Sequence, residues 1–193
     1  CKLSGSITSK LGQLSNLLGF DVHNNIISGS IPPSIGKLTD VRALYMDTNA
    51  LTGTIPSNIG SLTRLVDLRL HGNHLKGPMP QAISNLRILQ ILDLNSNELS
   101  GELPGPSLGN LSLMRELHLY QNNFVGSIPD ELGSLGLITV LFLDQNELTG
   151  PIPAWTDLDY LEKLYVFDNE LSRTIPKEIG NLHGLTELRL ESN

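Results

Sequence analysis

The stretch LDLNSN at residues 92–97 decides the fold. Its frame recurs as FDVHNN (20–25), LYMDTN (44–49), LRLHGN (68–73), LHLYQN (117–122), LFLDQN (141–146), LYVFDN (164–169) and LRLESN (188–193). The closing Asn falls at 25, 49, 73, 97, 122, 146, 169 and 193, giving steps of 24, 24, 24, 25, 24, 23 and 24 residues. One extra residue in LPGPSLGN makes the long step, and a shortened IPAWTDL makes the short one. After each Asn except the last comes a variant of L-S/T-G-x-I-P, then of L/I-G-x-L. Gly29, Gly53, Gly77, Gly101, Gly126 and Gly150 share one slot, which Arg173 breaks. Pro32, Pro56, Pro80, Pro104, Pro129, Pro153 and Pro176 share another, with Thr8 as the exception.

Elementary geometry reads one unit. Two leucines two apart point to the same side of an extended strand, and their neighbours point to the other. One such strand cannot bury its apolar side alone, but stacked copies share a continuous core. The Asn stands where the chain leaves the strand. Its amide both donates and accepts, so it can pair backbone groups of adjacent coils that would otherwise be buried unsatisfied. The Gly permits a turn that a Cβ would hinder. The Pro fixes φ and cannot continue a helix, and L/I-G-x-L is too short for an α-helix and suits a 3₁₀ turn.

The pattern LxxLxLxxNxLxGxIPxxLGxLxx, carried by these residues across the whole chain, resembles the plant-type leucine-rich repeat. The resemblance implies an α/β repeat solenoid: a right-handed curved superhelix with a parallel concave β-sheet, short second strands and 3₁₀ turns on the convex side. Residues 1–193 are expected to form one solenoid of eight 24-residue repeat lengths. Cys1 takes the Asn slot, where cysteine is the family's usual substitute, so a structural ladder is expected from Cys1, Asn25, Asn49, Asn73, Asn97, Asn122, Asn146, Asn169 and Asn193. Both ends fall mid-repeat without polar caps, which reads as an internal fragment of a longer protein.

Composition narrows the function classes. The 193 residues are 39% hydrophobic and 17% charged with a net charge of −7, and no Lys/Arg run neutralises phosphates, so nucleic acid is not an expected partner. No stretch approaches the ~20 apolar residues of a membrane span, so any membrane attachment would come from a segment outside residues 1–193. One cysteine allows no internal disulfide. No GxSxG, HExxH or phosphate-cradling glycine loop is present, and an open sheet does not dehydrate its carboxylates, so catalysis is not expected. Neither a cofactor nor a metal is expected; His23 and His71 stand two repeats apart, ~10 Å, too far to share one ion.

Within LxxLxLxxN, the second, third, fifth, seventh and eighth slots face away from the core. They hold ten acids and five bases, which accounts for −5 of the −7 and suits a basic or mixed-charge partner, although plain solvation explains such charge equally well. Only nine residues are aromatic, and Tyr45, Tyr120, Phe142, Tyr165 and Phe167 take these slots. The last four come from three consecutive repeats and should form a patch ~10 Å across, bordered by His118 and Asp144. Exposed aromatics on a polar sheet point to a ligand, with cross-strand packing as the competing reason. His118, Tyr120, Phe142, Asp144, Tyr165 and Phe167 are therefore the candidate ligand-binding residues.

Three outlying features carry expectations of their own. Asn110-Leu111-Ser112 is an N-glycosylation sequon in an outer turn, with Asn110 the acceptor. Trp155 and Tyr160 should fill space left by the shortened repeat, and Glu102–Pro106 should bulge outward to absorb the extra residue. The resemblance implies an extracellular or cell-surface module binding a protein or peptide on the concave face, often in a receptor with a Ser/Thr kinase domain and a co-receptor. It also admits a secreted inhibitor of a wall-degrading hydrolase or a structural, adhesive surface protein.

Overall fold

The computed structural model describes residues 2–193. In each unit a three-residue strand is centred on the first apolar residue of L-x-L, and the eight strands form one parallel sheet, from Gly19–Asp21 through Ala43–Tyr45, Asp67–Arg69, Ile91–Asp93, Glu116–His118, Val140–Phe142 and Lys163–Tyr165 to Glu187–Arg189. The segments after the Asn form a second parallel sheet of eight strands, from Ser4–Ser6 to Glu170–Leu171. Among the described residues six 3₁₀ helices close the coils, the first at Ser9–Gln13 and the last at Lys177–Asn181. Neighbouring strands pair in register, Leu117 with Leu141 and Leu141 with Leu164, so equivalent slots stack into rows. This is an α/β leucine-rich-repeat solenoid.

The row of central leucines, Leu44, Leu68, Leu92, Leu117, Leu141 and Leu164, is fully buried. Each contributes roughly 1.5–3 kcal/mol on leaving water. At the ends the same row loses its cover, and Leu188 is 40% exposed.

The asparagine side chains tie successive coils together. Asn97 Oδ1 accepts the Leu75 N–H at 3.0 Å, and its Nδ2 donates to the carbonyls of Leu70, Leu94 and Asn95. The acceptor half repeats all along the chain, from Leu3 N–H on Asn25 to Leu171 N–H on Asn193. In every case an Asn seals the coil that precedes it. Cys1, given the same role above, lies outside the described residues.

Most of the 3₁₀ helices start after a Pro held near φ −70°, as at Pro32 and Pro56. Where Thr8 replaces it, the hydroxyl accepts the Lys10 N–H instead. The glycines inside these turns let coils approach closely: a Cβ on Gly60 would stand 2.4 Å from the Ala82 carbonyl oxygen. Backbone strain gathers in two slots. The residue before each ladder Asn is left-handed, with non-glycine examples at Asn24, Thr48, Ser96, Gln121, Gln145, Asp168 and Ser192. Arg173, in the slot otherwise held by glycine, has φ +71°.

The two irregular repeats differ from expectation. The extra residue makes no bulge. It lengthens the turn into a short α-helix, Gly105–Gly109, in which the Leu108 N–H reaches the Pro104 carbonyl four residues back. In the short repeat, residues 151–158 form no helix. Trp155 fills the gap, buried against the bare backbone of Gly133. Tyr160 does not share that role: it sits in the turn before Leu161 and is 61% exposed.

Candidate ligand-binding surface

On the first sheet the slots beside each buried leucine face away from the core, because side chains alternate along a strand. Register pairs His118 with Phe142, Phe142 with Tyr165 and Tyr165 with Arg189 in one row. Tyr120, Asp144 and Phe167 follow two residues on, and the Gln121 N–H on the Asp144 carbonyl and the Gln145 N–H on the Phe167 carbonyl keep them aligned. All six candidate residues thus fall in one patch.

The rings touch as a chain. Phe142 and Tyr165 stack at 4.2 Å between centroids. His118 meets Phe142 edge-on at 5.1 Å, Tyr120 does so at 6.2 Å, and Tyr165 and Phe167 lie 6.1 Å apart. Each such pair adds roughly 0.5–1.5 kcal/mol beyond burial, so part of the patch is self-supporting. Beside the rings an open depression of about 270 Å³ is lined by the four aromatics with Asp144, Gln145 and Arg189.

The charges around the patch are mostly paired. His118 Nε2 is 3.1 Å from Glu116, and Lys163 Nζ is 2.7 Å from Glu187, which also accepts the Tyr165 hydroxyl. Arg189 donates to Glu191 and lies with its guanidinium 3.9 Å from the Phe167 ring centroid and 5.4 Å from that of Tyr165. Arg189 belongs to the site yet is not among the residues singled out from sequence. The signal was available, since Arg189 continues the His118–Phe142–Tyr165 row.

Asp144 stands apart. It is 4% exposed, and its Oδ1 has no hydrogen-bond partner among the described residues. Burial pushes its carboxyl up to about 6, only partly countered by its own backbone N–H and by Arg189. Burial likewise raises the neighbouring Tyr120 hydroxyl.

A second polar cluster lies at the other end of the sheet. Tyr45, separated from the patch by two strands, donates its hydroxyl to Asp67 at 2.8 Å, and Asp67 accepts three bonds from Arg69, whose guanidinium covers the Tyr45 ring. His71 lies between Asp93 (3.0 Å) and Asp47 (3.5 Å). The close approach of the Asp93 carboxylate first, and then the Asp47 charge, raise the imidazole above its usual value. Plain solvation does not describe Asp47, Asp67 and Asp144, which are buried, while Asp21, Glu162, Asp168, Glu187 and Glu191 are exposed. Among the described residues no group of three His, Cys, Asp or Glu could hold a metal ion, and no helix is long and apolar enough to cross a membrane. Asn110 is exposed at the C-terminal cap of the Gly105–Gly109 helix, well away from the patch in the coil.

Comparison with known proteins places this surface in context. A family model described as leucine rich repeat matches residues 16–38, 64–86, 89–111, 114–135 and 160–182, more than half of the chain. Among curated proteins none matches significantly. The ectodomain of the plant membrane receptor kinase GASSHO1/SCHENGEN3 from Arabidopsis thaliana, solved with CASPARIAN STRIP INTEGRITY FACTOR 2, is similar over 98% of this chain and 23% of its own, at TM-score 0.96 and 36% identity. The Arabidopsis receptor kinase HAESA, solved with the peptide hormone IDA and the co-receptor SERK1, is similar over 98% and 36%, at TM-score 0.86 and 31% identity. A plant ice-binding protein is similar over 97% and 61%, at TM-score 0.84 and 30% identity. The chain therefore spans less than two thirds of each of these proteins.

Proposed function

The chain belongs to the leucine-rich repeat family, and on that premise we propose that it is a non-catalytic recognition module from the extracellular ligand-binding region of a receptor. A peptide or protein segment would lie across the concave face, over Tyr120, Phe142, Tyr165 and Phe167, with His118 and Asp144 at the edge. The observation that carries this reading is the ring chain spanning three adjacent strands beside an open depression. It is a preformed surface, so little ordering on the protein's side opposes binding. The similar receptor kinase solved with a peptide hormone and a co-receptor supports a peptide ligand and a co-receptor here too. The exposed Asn110 suits a glycan-bearing, extracellular module.

The row through the patch changes character at every strand: Asp21, Tyr45, Arg69, Asp93, His118, Phe142, Tyr165, Arg189. Such variation fits a ligand of irregular shape better than a uniform structural or adhesive surface. The test is a random-heptapeptide display library panned on the chain. Selected peptides should lose binding to a Phe142→Ala/Phe167→Ala variant whose circular dichroism matches the parent. Unchanged affinity for that variant would sink the reading.

A further inference from the structure

Asp144 is a buried acid with no basic side chain bonded to its Oδ1. Asp47 occupies the equivalent slot four coils earlier and meets His71 on the next strand, 3.5 Å away, with the Thr48 hydroxyl also in reach. At Asp144 the equivalent neighbour is Phe167, and the ring on the other side is Tyr120. A carboxylate that is buried, lacks a bond at Oδ1 and is flanked by aromatic rings is costly to keep, and a ligand cation would complete it.

The rest of the surroundings favour the same partner. Ring faces attract cations, and Phe167 already carries a guanidinium, that of Arg189, at 3.9 Å. That guanidinium is engaged by Glu191 and makes no bond to Asp144 Oδ1, so it offsets the buried charge only in part. The other titratable groups around the depression are Asp93, Asp168, Glu191 and the His118–Glu116 and Lys163–Glu187 pairs, so acids still outnumber bases. We infer that Asp144, flanked by Tyr120 and Phe167, is the receiving site for the cationic side chain of a basic residue, preferably a planar guanidinium, in the peptide ligand. The inference rests on the peptide-recognition reading and names the ligand residue that reading leaves open. A guanidinium offers several N–H donors to the unpaired Oδ1 while its plane lies against a ring. The raised carboxyl adds a signature: near pH 7 Asp144 is mostly ionised and can pair, whereas well below about 6 it is neutral.

The test uses the full chain and the display library above. Peptides selected at pH 7.5 should be enriched in arginine or lysine at one position. For the best of them, arginine and its neutral isostere citrulline are compared at that position by fluorescence polarisation. The arginine form should bind at least about tenfold more tightly at pH 7.5, as expected for a bond to a buried charged group. The ratio should fall toward one at pH 5 and in Asp144→Asn. Peptides that bind through the rings with no arginine preference would overturn the inference and leave the recognition reading standing. No peptide distinguishing the parent from Phe142→Ala/Phe167→Ala would overturn both. The arginine-to-citrulline ratio is read on the parent protein, so it decides the matter even if Asp144→Asn were to misfold.

Discussion

Replacing Asp144 by asparagine should make the protein more stable at neutral pH. The carboxyl rises from the usual 3.8 to about 6 in the fold. At ~1.4 kcal/mol per unit, the shift of roughly two units corresponds to about 3 kcal/mol of native-state cost once both states are ionised. Asp144 lines an open depression, so screening by water lowers this to about 1–2 kcal/mol. The sign follows from the direction. A raised acid binds its proton more tightly when folded, so the cost is fully present above about 6, shrinks as pH falls, and is gone below the unfolded value. An asparagine side chain has no proton to lose in this range, so Asp144→Asn should gain about 1–2 kcal/mol over the parent at pH 7.5 and almost nothing at pH 4. Urea unfolding followed by circular dichroism at both pH values measures it. The parent–variant difference cancels the other carboxylates. A destabilised variant at pH 7.5, or the same difference at both pH values, would show that Asp144 is satisfied in the fold and that the reasoning is wrong.

Three further outcomes test the architecture. Asn97→Ala removes the acceptor of the buried Leu75 N–H and three donated bonds, and should cost about 2–4 kcal/mol in urea unfolding, against a smaller loss for the exposed terminal Asn193→Ala. Gly60→Ala drives a Cβ into the Ala82 carbonyl and should lower the melting temperature by several degrees, while Gly180→Ala, with nothing within 4 Å, should leave it unchanged. Arg173→Gly relieves a left-handed backbone at φ +71°, and after the entropy cost of glycine should raise stability by about 0.5–1 kcal/mol, readable as a later urea midpoint.

Most of the architecture was legible because a single period carries it. Once Leu92, Asp93, Leu94 and Asn97 are assigned, the other seven coils follow by translation, and the register that collects Tyr120, Phe142 and Phe167 follows with them. Departures from the period were located correctly but not shaped correctly. The length of Glu102–Pro106 says that one residue must be absorbed; whether a bulge or an α-turn absorbs it depends on whether Leu108 can reach back to Pro104, which spacing does not encode. Tyr160 read as a filler because aromatic residues usually bury, yet one coil gap holds only one large ring, and Trp155 occupies it against Gly133. The isolation of Asp144 and the seat of Arg189 on Phe167 were out of reach for a related reason. They depend on which partner each side chain selects across strands, and Asp47 and Asp144 are the same letter in the same slot with opposite fortunes.

The asparagine ladder also imposes a schedule. The buried amide of each coil waits for an acceptor that lies 21–23 residues further along the chain, as Leu75 waits for Asn97, Leu99 for Asn122 and Leu148 for Asn169. On a ribosome every coil is consequently locked one coil late, by a residue that emerges after its own leucines. Peeling the solenoid from its C-terminal side unlatches the coil left behind. Peeling from the N-terminal side instead frees an asparagine that still grips the carbonyls of its own coil, as Asn97 grips those of Leu94 and Asn95. The molecule thus has a fastening direction, and its two ends are not equivalent under mechanical pull.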